Sequence, residues 1–234
     1  MGIRSWLQER TGSADIARAV LEHKAPRNLT WAHMLGSATL FALGLQLVTG
    51  ILLAIYYVPT PDHAWESVSY IQNEVLFGWL IRGIHHFGTS ALIILVGLHL
   101  IRVVIWGAYK YPREFTWITG VILLIVVMLF AVTGDLLPWG QNSYWATKVR
   151  IGYLAGTPII GEGFARFVYG GDSLSAVTLM RFYSLHVLVL PVALLVVVGI
   201  HLYLVIRHGV AVAPWHKKDN EPNGISADGG EDAQ

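Results

Sequence analysis

Four of the ten histidines in this chain are spaced as ligands would be. His85 and His99 stand 14 residues apart in one apolar stretch, and His186 and His201 stand 15 apart in another. On a helix turning about 100° per residue, either spacing keeps both members within roughly 40–60° of one face and about 21–23 Å apart along the axis. Any single histidine in such a stretch reads equally well as a hydrogen-bonded core residue. Four at matched depth on two stretches do not, because ionisable groups in apolar helices are costly and mostly functional. If the two stretches run the same way, His85 is level with His186 and His99 with His201. Two layers of facing imidazoles are what two bis-imidazole haems require. His86 points about 100° away from His85 and has no counterpart, so it is read as a non-ligand.

The elements that must carry these residues are membrane helices. The composition is 54% hydrophobic and only 13% charged, well below the charge of an ordinary soluble domain. No Lys, Arg, Asp or Glu occurs in 34–58, 83–101, 116–134 or 182–206. Each run is near or above the length, about 20 residues, that crosses the hydrocarbon as a helix. Four buried helices in a soluble protein of this size would leave too little polar surface to cover them. The expected fold is therefore all-α and integral to a membrane, a bundle of four transmembrane helices over about 31–57, 76–106, 115–133 and 180–207. Pro59 and Pro61 stop the first helix. The first two connections read as short, and the third, 134–179, as a long loop of a length uncommon unless functional. Residues 1–30 read as a surface segment, 31–210 as the helical domain, and 211–234 as a polar, disordered tail. No signal-peptide pattern opens the chain, and nothing suggests a nucleic-acid partner. Lys and Arg cluster in 1–30, in the second connection and after the fourth helix, which puts both termini on the negative, cytoplasmic side.

Glycines share the histidine spacing. Gly36 and Gly50 lie 14 apart in the first helix, and Gly120 and Gly134 lie 14 apart in the third. A haem plate is too wide to enter between close-packed helices unless side chains are missing where it sits. These four positions supply that clearance at the two histidine levels, although glycine also serves simple helix packing. Arg82 and Arg102 each stand one turn from a ligand candidate. There a permanent cation pairs with a haem propionate or snorkels to the interface.

The runs FGWLIRGIHHFG, GLHLIR, YPREFTWITG, TGDLLPWGQNSYWA, RFYSLHVLVLP and IHLYLVIR together resemble the cytochrome b subunit of quinol–cytochrome c oxidoreductases. The resemblance covers about residues 5–210 and is nearest to the short, split form of chloroplasts and cyanobacteria, which shares the 15-residue spacing. It implies two non-covalent haems b, the lower-potential one on His85 and His186 near the positive side and the higher-potential one on His99 and His201. It also implies a quinol site lined by Trp139, Gly140, Ala146, Thr147 and Val149. One electron of quinol passes to a Rieske iron–sulfur protein, and the second crosses the bundle to a quinone on the negative side with proton translocation. The implied partners are a subunit carrying the remaining cytochrome b helices, the Rieske protein and a c-type cytochrome, in a dimeric complex of an energy-transducing membrane such as the bacterial cytoplasmic membrane. The chain is expected not to oxidise quinol alone, since the family's Pro-Glu-Trp-Tyr loop is not in it.

Two departures stand out. Met34 occupies the position where the chloroplast form carries a cysteine that tethers a third haem, and the chain contains no cysteine at all, so no covalent third haem is expected. Asp135 stands where the family usually has tyrosine. The rival classes are a two-haem membrane anchor of a dehydrogenase or hydrogenase, in which LPWGQ and the glycine register have no role, and a transporter or structural subunit, in which no haem binds. Acid–acetone extraction of the complex is therefore expected to strip all haem from this polypeptide, and haem retained on its band in a denaturing gel would contradict that expectation.

Overall fold

The computed structural model describes Gly2, Trp6, Gln8, Arg10 and residues 30–211. One compact unit is Ala32–Ala211. The other takes in Met1–Trp31 and Val212–Gln234; in it the Arg10 guanidinium lies 4.8 Å over the Trp6 ring. The surface segment 1–30 and the tail 211–234 expected above lie almost wholly outside the described residues.

Apolar runs without charge fold as helices in a bilayer because every backbone N–H and C=O must find its partner within the segment. Helix α1 (Leu35–Ala54) follows a 3-10 turn at Trp31–Met34; α2 is Ala64–Asn73, α3 is Gly78–Ile105 and α4 is Glu114–Leu136. Then come α5 (Gln141–Ala155), α6 (Gly161–Tyr169) and α7 (Ala176–Ser184), which runs through a π turn at Leu185–Val189 into α8 (Leu190–His208). Four of these paths are long and apolar enough to cross a membrane: Trp31–Ala54, Gly78–Ile105, Glu114–Leu136 and Ala176–His208. Their outer faces expose large apolar side chains such as Ile51, Ile94, Ile125 and Val196, a surface suited to lipid.

The connections are more helical than their sequence suggests. The first helix ends at Ala54 rather than near 57, and the link after it holds α2. The 134–179 stretch is mostly helical. Gly140 N–H donates to Ser143 Oγ at 3.1 Å, which caps the start of α5. Ile151 of α5 and Ala165 of α6 then bury against Leu136, Leu174 and Phe182. A small apolar core of this kind offsets the entropy of ordering a connection that polar residues alone would leave loose. At the entry to α3, Gly78 abuts the Ile71 carbonyl so closely that a Cβ would collide with it.

Packing is uneven, and the unevenness makes the site. Helix α1 lies along α3, and α4 lies along α8, whereas α3 and α8 are not packed together. Glycine is what lets each hairpin close with a histidine inside it. A Cβ added to Gly50 would lie 3.1 Å from His85 Cε1, one on Gly36 3.3 Å from His99 Cε1, and one on Gly120 3.3 Å from His201 Cε1. At Gly134 it would stand 2.6 Å from His186 Cε1. Among the protein's own atoms, those nearest the four positions are the imidazoles'. Gly36→Ala and Gly120→Ala are accordingly expected to keep both haems, Gly134→Ala to disturb the His85–His186 haem, and leucine at any of the four to displace its own histidine. Haem content and redox titration of the four alanine and four leucine variants check this; equal values throughout would leave the glycines with packing alone.

Candidate functional site

In the gap between the two hairpins the histidines of α3 meet those of the α7–α8 path. The ring centroids of His85 and His186 are 6.3 Å apart. Metal–imidazole bonds are about 2 Å long, so two axial imidazoles on one metal put their ring centres roughly 6 Å apart. The observed separation fits an iron between them. His99 and His201 sit one level away, set against Gly36 and Gly120 as His85 and His186 are against Gly50 and Gly134.

The other ring nitrogen decides which tautomer each imidazole adopts. Thr49 Oγ1 lies 2.9 Å from His85 Nδ1, Thr119 Oγ1 2.9 Å from His201 Nδ1, and Thr133 Oγ1 3.1 Å from His186 Nδ1. Each of these hydroxyls donates its one proton to a carbonyl a turn back, at Leu45, Phe115 and Leu129 respectively. Toward histidine the threonine oxygen can then only accept, so Nδ1 carries the proton and Nε2 presents its lone pair to the gap. His99 is the exception: its Nδ1 is buried and has no partner among the described residues. The sequence carries a signal for this, since Thr-Gly occurs at 49–50, 119–120 and 133–134, and opposite the fourth histidine the pair is Leu35-Gly36.

A second feature escaped the sequence reading. His186 lies in the π turn, where the Leu190 N–H bonds the Leu185 carbonyl five residues back. Pro191 follows and has no N–H to resume the ladder. A π turn spends one extra residue on the same rotation. The 15 residues from His186 to His201 therefore turn about as far as the 14 from His85 to His99, roughly 40° short of whole turns. The unequal spacings yield equal geometry.

The two arginines differ in setting. Arg82 donates from Nη1 to Gln72 Oε1 at 2.8 Å and lines a cavity of ≈ 1140 Å³ that His85 and His186 also line. Arg102 lies 4.1 Å over the Trp106 ring and donates to the Ala211 carbonyl at 3.2 Å, while its buried Nε has no partner. An unsatisfied buried guanidinium nitrogen is costly and suits an anionic group such as a propionate.

The same cavity extends along the start of α5. Trp139 and Gly140 line it, together with Tyr57, Asp135, Arg150 and Tyr183. Trp139 holds a left-handed backbone, φ 50, uncommon for a bulky residue and typical of functional sites. The Tyr57 phenol donates to the Leu137 carbonyl at 2.6 Å and stacks on Tyr183 at 5.6 Å. Burial first, and then Tyr183, pushes its pKa well up, so the phenol stays protonated. Asp135 pairs with Arg150 at 2.6 Å. Ala146, Thr147 and Val149 are not among the lining residues; Thr147 is wholly buried and Val149 is exposed.

Comparison with known proteins agrees with this geometry. The cytochrome b/b6/petB family model matches residues 20–209. Cytochrome b6 of Prochlorococcus marinus strain MIT 9211 is 39% identical over 209 residues, covering 89% of this chain and 96% of the relative. That of strain MIT 9515 is 40% identical over the same length. A chain of a solved hyperthermophilic respiratory Complex III superposes with a TM-score of 0.83 at 38% identity over 94% of this chain, which spans 59% of that longer chain. With four apolar helices and two levels of histidines on neighbouring hairpins, the chain belongs to the cytochrome b/b6/petB family and is an integral membrane protein.

Proposed function

We propose that the chain is the di-haem subunit of a bc-type quinol–cytochrome c oxidoreductase. In that role it takes the second electron of quinol oxidation on the positive side of the membrane and carries it to a quinone on the negative side, coupled to proton translocation. The observation that carries this reading is the 6.3 Å separation of His85 and His186 on helices otherwise apart. Haem b, when bound, supplies a one-electron couple whose potential follows axial ligand, hydrogen bonding and burial. The residues supply position. His85 with His186, and His99 with His201, present Nε2 from opposite walls; Arg82 and Arg102 offer cations to the propionates; Gly36, Gly50, Gly120 and Gly134 leave the rings room.

On the quinol side the chain offers an aromatic, partly polar wall. Trp139 and Tyr183 give flat apolar surface for a quinone ring, Tyr57 keeps a phenol proton, and the Asp135 carboxylate is the nearby base. Ala146, Thr147 and Val149 of α5 complete the proposed quinol-site set, with Thr147 buried and Val149 exposed. The proposed partners are a subunit with the remaining cytochrome b helices, a Rieske protein and a c-type cytochrome in a dimeric complex, and the longer chain of the Complex III relative supports this reading. The lysine and arginine distribution supports both termini on the cytoplasmic side of a bacterial membrane. Residues 31–210 are assigned as the haem-bearing domain.

Substituting His99 or His201 in the assembled complex is expected to remove the negative-side haem and spare the other; substituting His85 or His186 should do the reverse. Reduced-minus-oxidised spectra with redox titration distinguish the cases. Loss of the same haem from His99 and His85 variants would overturn the layered assignment, and full haem content in all four would remove the reading altogether.

A further inference from the structure

Three of the four imidazoles have an acceptor for the Nδ1 proton, and the fourth has none. At His85, His186 and His201 the acceptor is the oxygen of Thr49, Thr133 and Thr119. The carbonyls of Gln46, Phe130 and Thr116 stand beside the same rings. His99 Nδ1 is buried without either. The cause is local. The residue before the clearing glycine is leucine at 35 instead of threonine, and α1 begins there, so the carbonyls one turn back belong to the 3-10 turn at Trp31–Met34. Within the His99–His201 level the glycines do not differ, since a Cβ on Gly36 and one on Gly120 would each stand 3.3 Å from the facing Cε1. Between His99 and His201 the asymmetry lies in the hydrogen bond to Nδ1.

We infer that Thr49, Thr119, Thr133 and the missing hydroxyl at Leu35 set a difference in redox potential between the two haem levels. The inference rests on the reading that the four histidines are haem ligands. An acceptor on Nδ1–H draws that proton outward, gives the ring partial imidazolate character and makes Nε2 a stronger donor. A stronger donor favours the ferric over the ferrous state, because the oxidised iron carries one more positive charge. The His85–His186 level has two such donors and the His99–His201 level has one, so the first level holds its electron less tightly. In a dry interior each such bond counts for more than it would in water. The threonines are positioning residues: they touch the ligand, not the iron. Leu35 is the position at which the fold leaves the trend unfulfilled.

The test uses the membrane-embedded complex with both haems bound, read by redox titration and by the EPR spectrum of the ferric centres. Thr119→Val is expected to raise the potential of the His99–His201 haem alone, by about tenfold in its reduction equilibrium, which for one electron is ~59 mV. Thr119→Ser, which restores the oxygen, is expected to return it to the wild-type value. Leu35→Thr is expected to lower the same haem and shift its EPR signal, leaving the other level unmoved. Thr49→Val should raise only the His85–His186 haem. Unchanged potentials in Thr119→Val and Thr49→Val at full haem content would overturn the inference, as would equal shifts in Thr119→Val and Thr119→Ser. If Leu35→Thr fails to assemble, the valine and serine pair still decides. Failure of the underlying reading would show earlier and differently, as a wild-type complex without two low-spin bis-imidazole signals.

Discussion

A distance of about two metal–nitrogen bonds between opposed imidazoles is the constraint on which this fold turns. Helix hairpins usually close on one another until side chains fill the space between them. Here α1 closes on α3 and α4 on α8, but the two histidine-bearing helices stay apart. Each histidine has a glycine at its back across its own hairpin, so the ring is pressed toward the gap and cannot fold away from it. The layers run glycine, imidazole, gap, imidazole, glycine. Because the site's two walls belong to different hairpins, filling it also joins them, and cofactor binding and bundle closure become one equilibrium.

Much of this was legible in the residues. Runs without charge gave four spans, since a bilayer tolerates little else, and the spacing of His85, His99, His186 and His201 gave the two levels. The helical content of 134–179 was less legible, because its order comes from a small core shared by Leu136, Ile151, Ala165, Leu174 and Phe182, which are distant in sequence. Periodicity within one segment cannot report such contacts. The tautomer-setting threonines are marked only by the repeated Thr-Gly pairs: mid-helix threonine commonly bonds a carbonyl of its own helix, and only the neighbouring helix shows that its oxygen serves a second partner.

The polar end of the cavity follows a different logic. Asp135 and Arg150 are each roughly half exposed, and an ion pair in that setting adds little to stability. What it does is fix a carboxylate at a chosen point beside the Tyr57 phenol, the Tyr183 ring and the left-handed turn at Trp139. The arginine comes from α5 and the aspartate from the last turn of α4, so the position of that charge depends on the connection keeping its helical form. A stretch that reads as a loop thus acts as a strut for the chemistry at one face.

The π turn around His186 has a historical meaning as well as a geometric one. A helix that can take up one additional residue as a local bulge can survive a single-codon insertion without losing a ligand. The surplus is absorbed within one turn, next to a proline that has no amide proton to contest it. Counting residues between ligands is then a poor ruler for ancestry, because lineages one residue apart in length can preserve the same metal geometry. What the bulge holds constant is the angle at which the His186 ring enters the gap, whatever the residue count to His201.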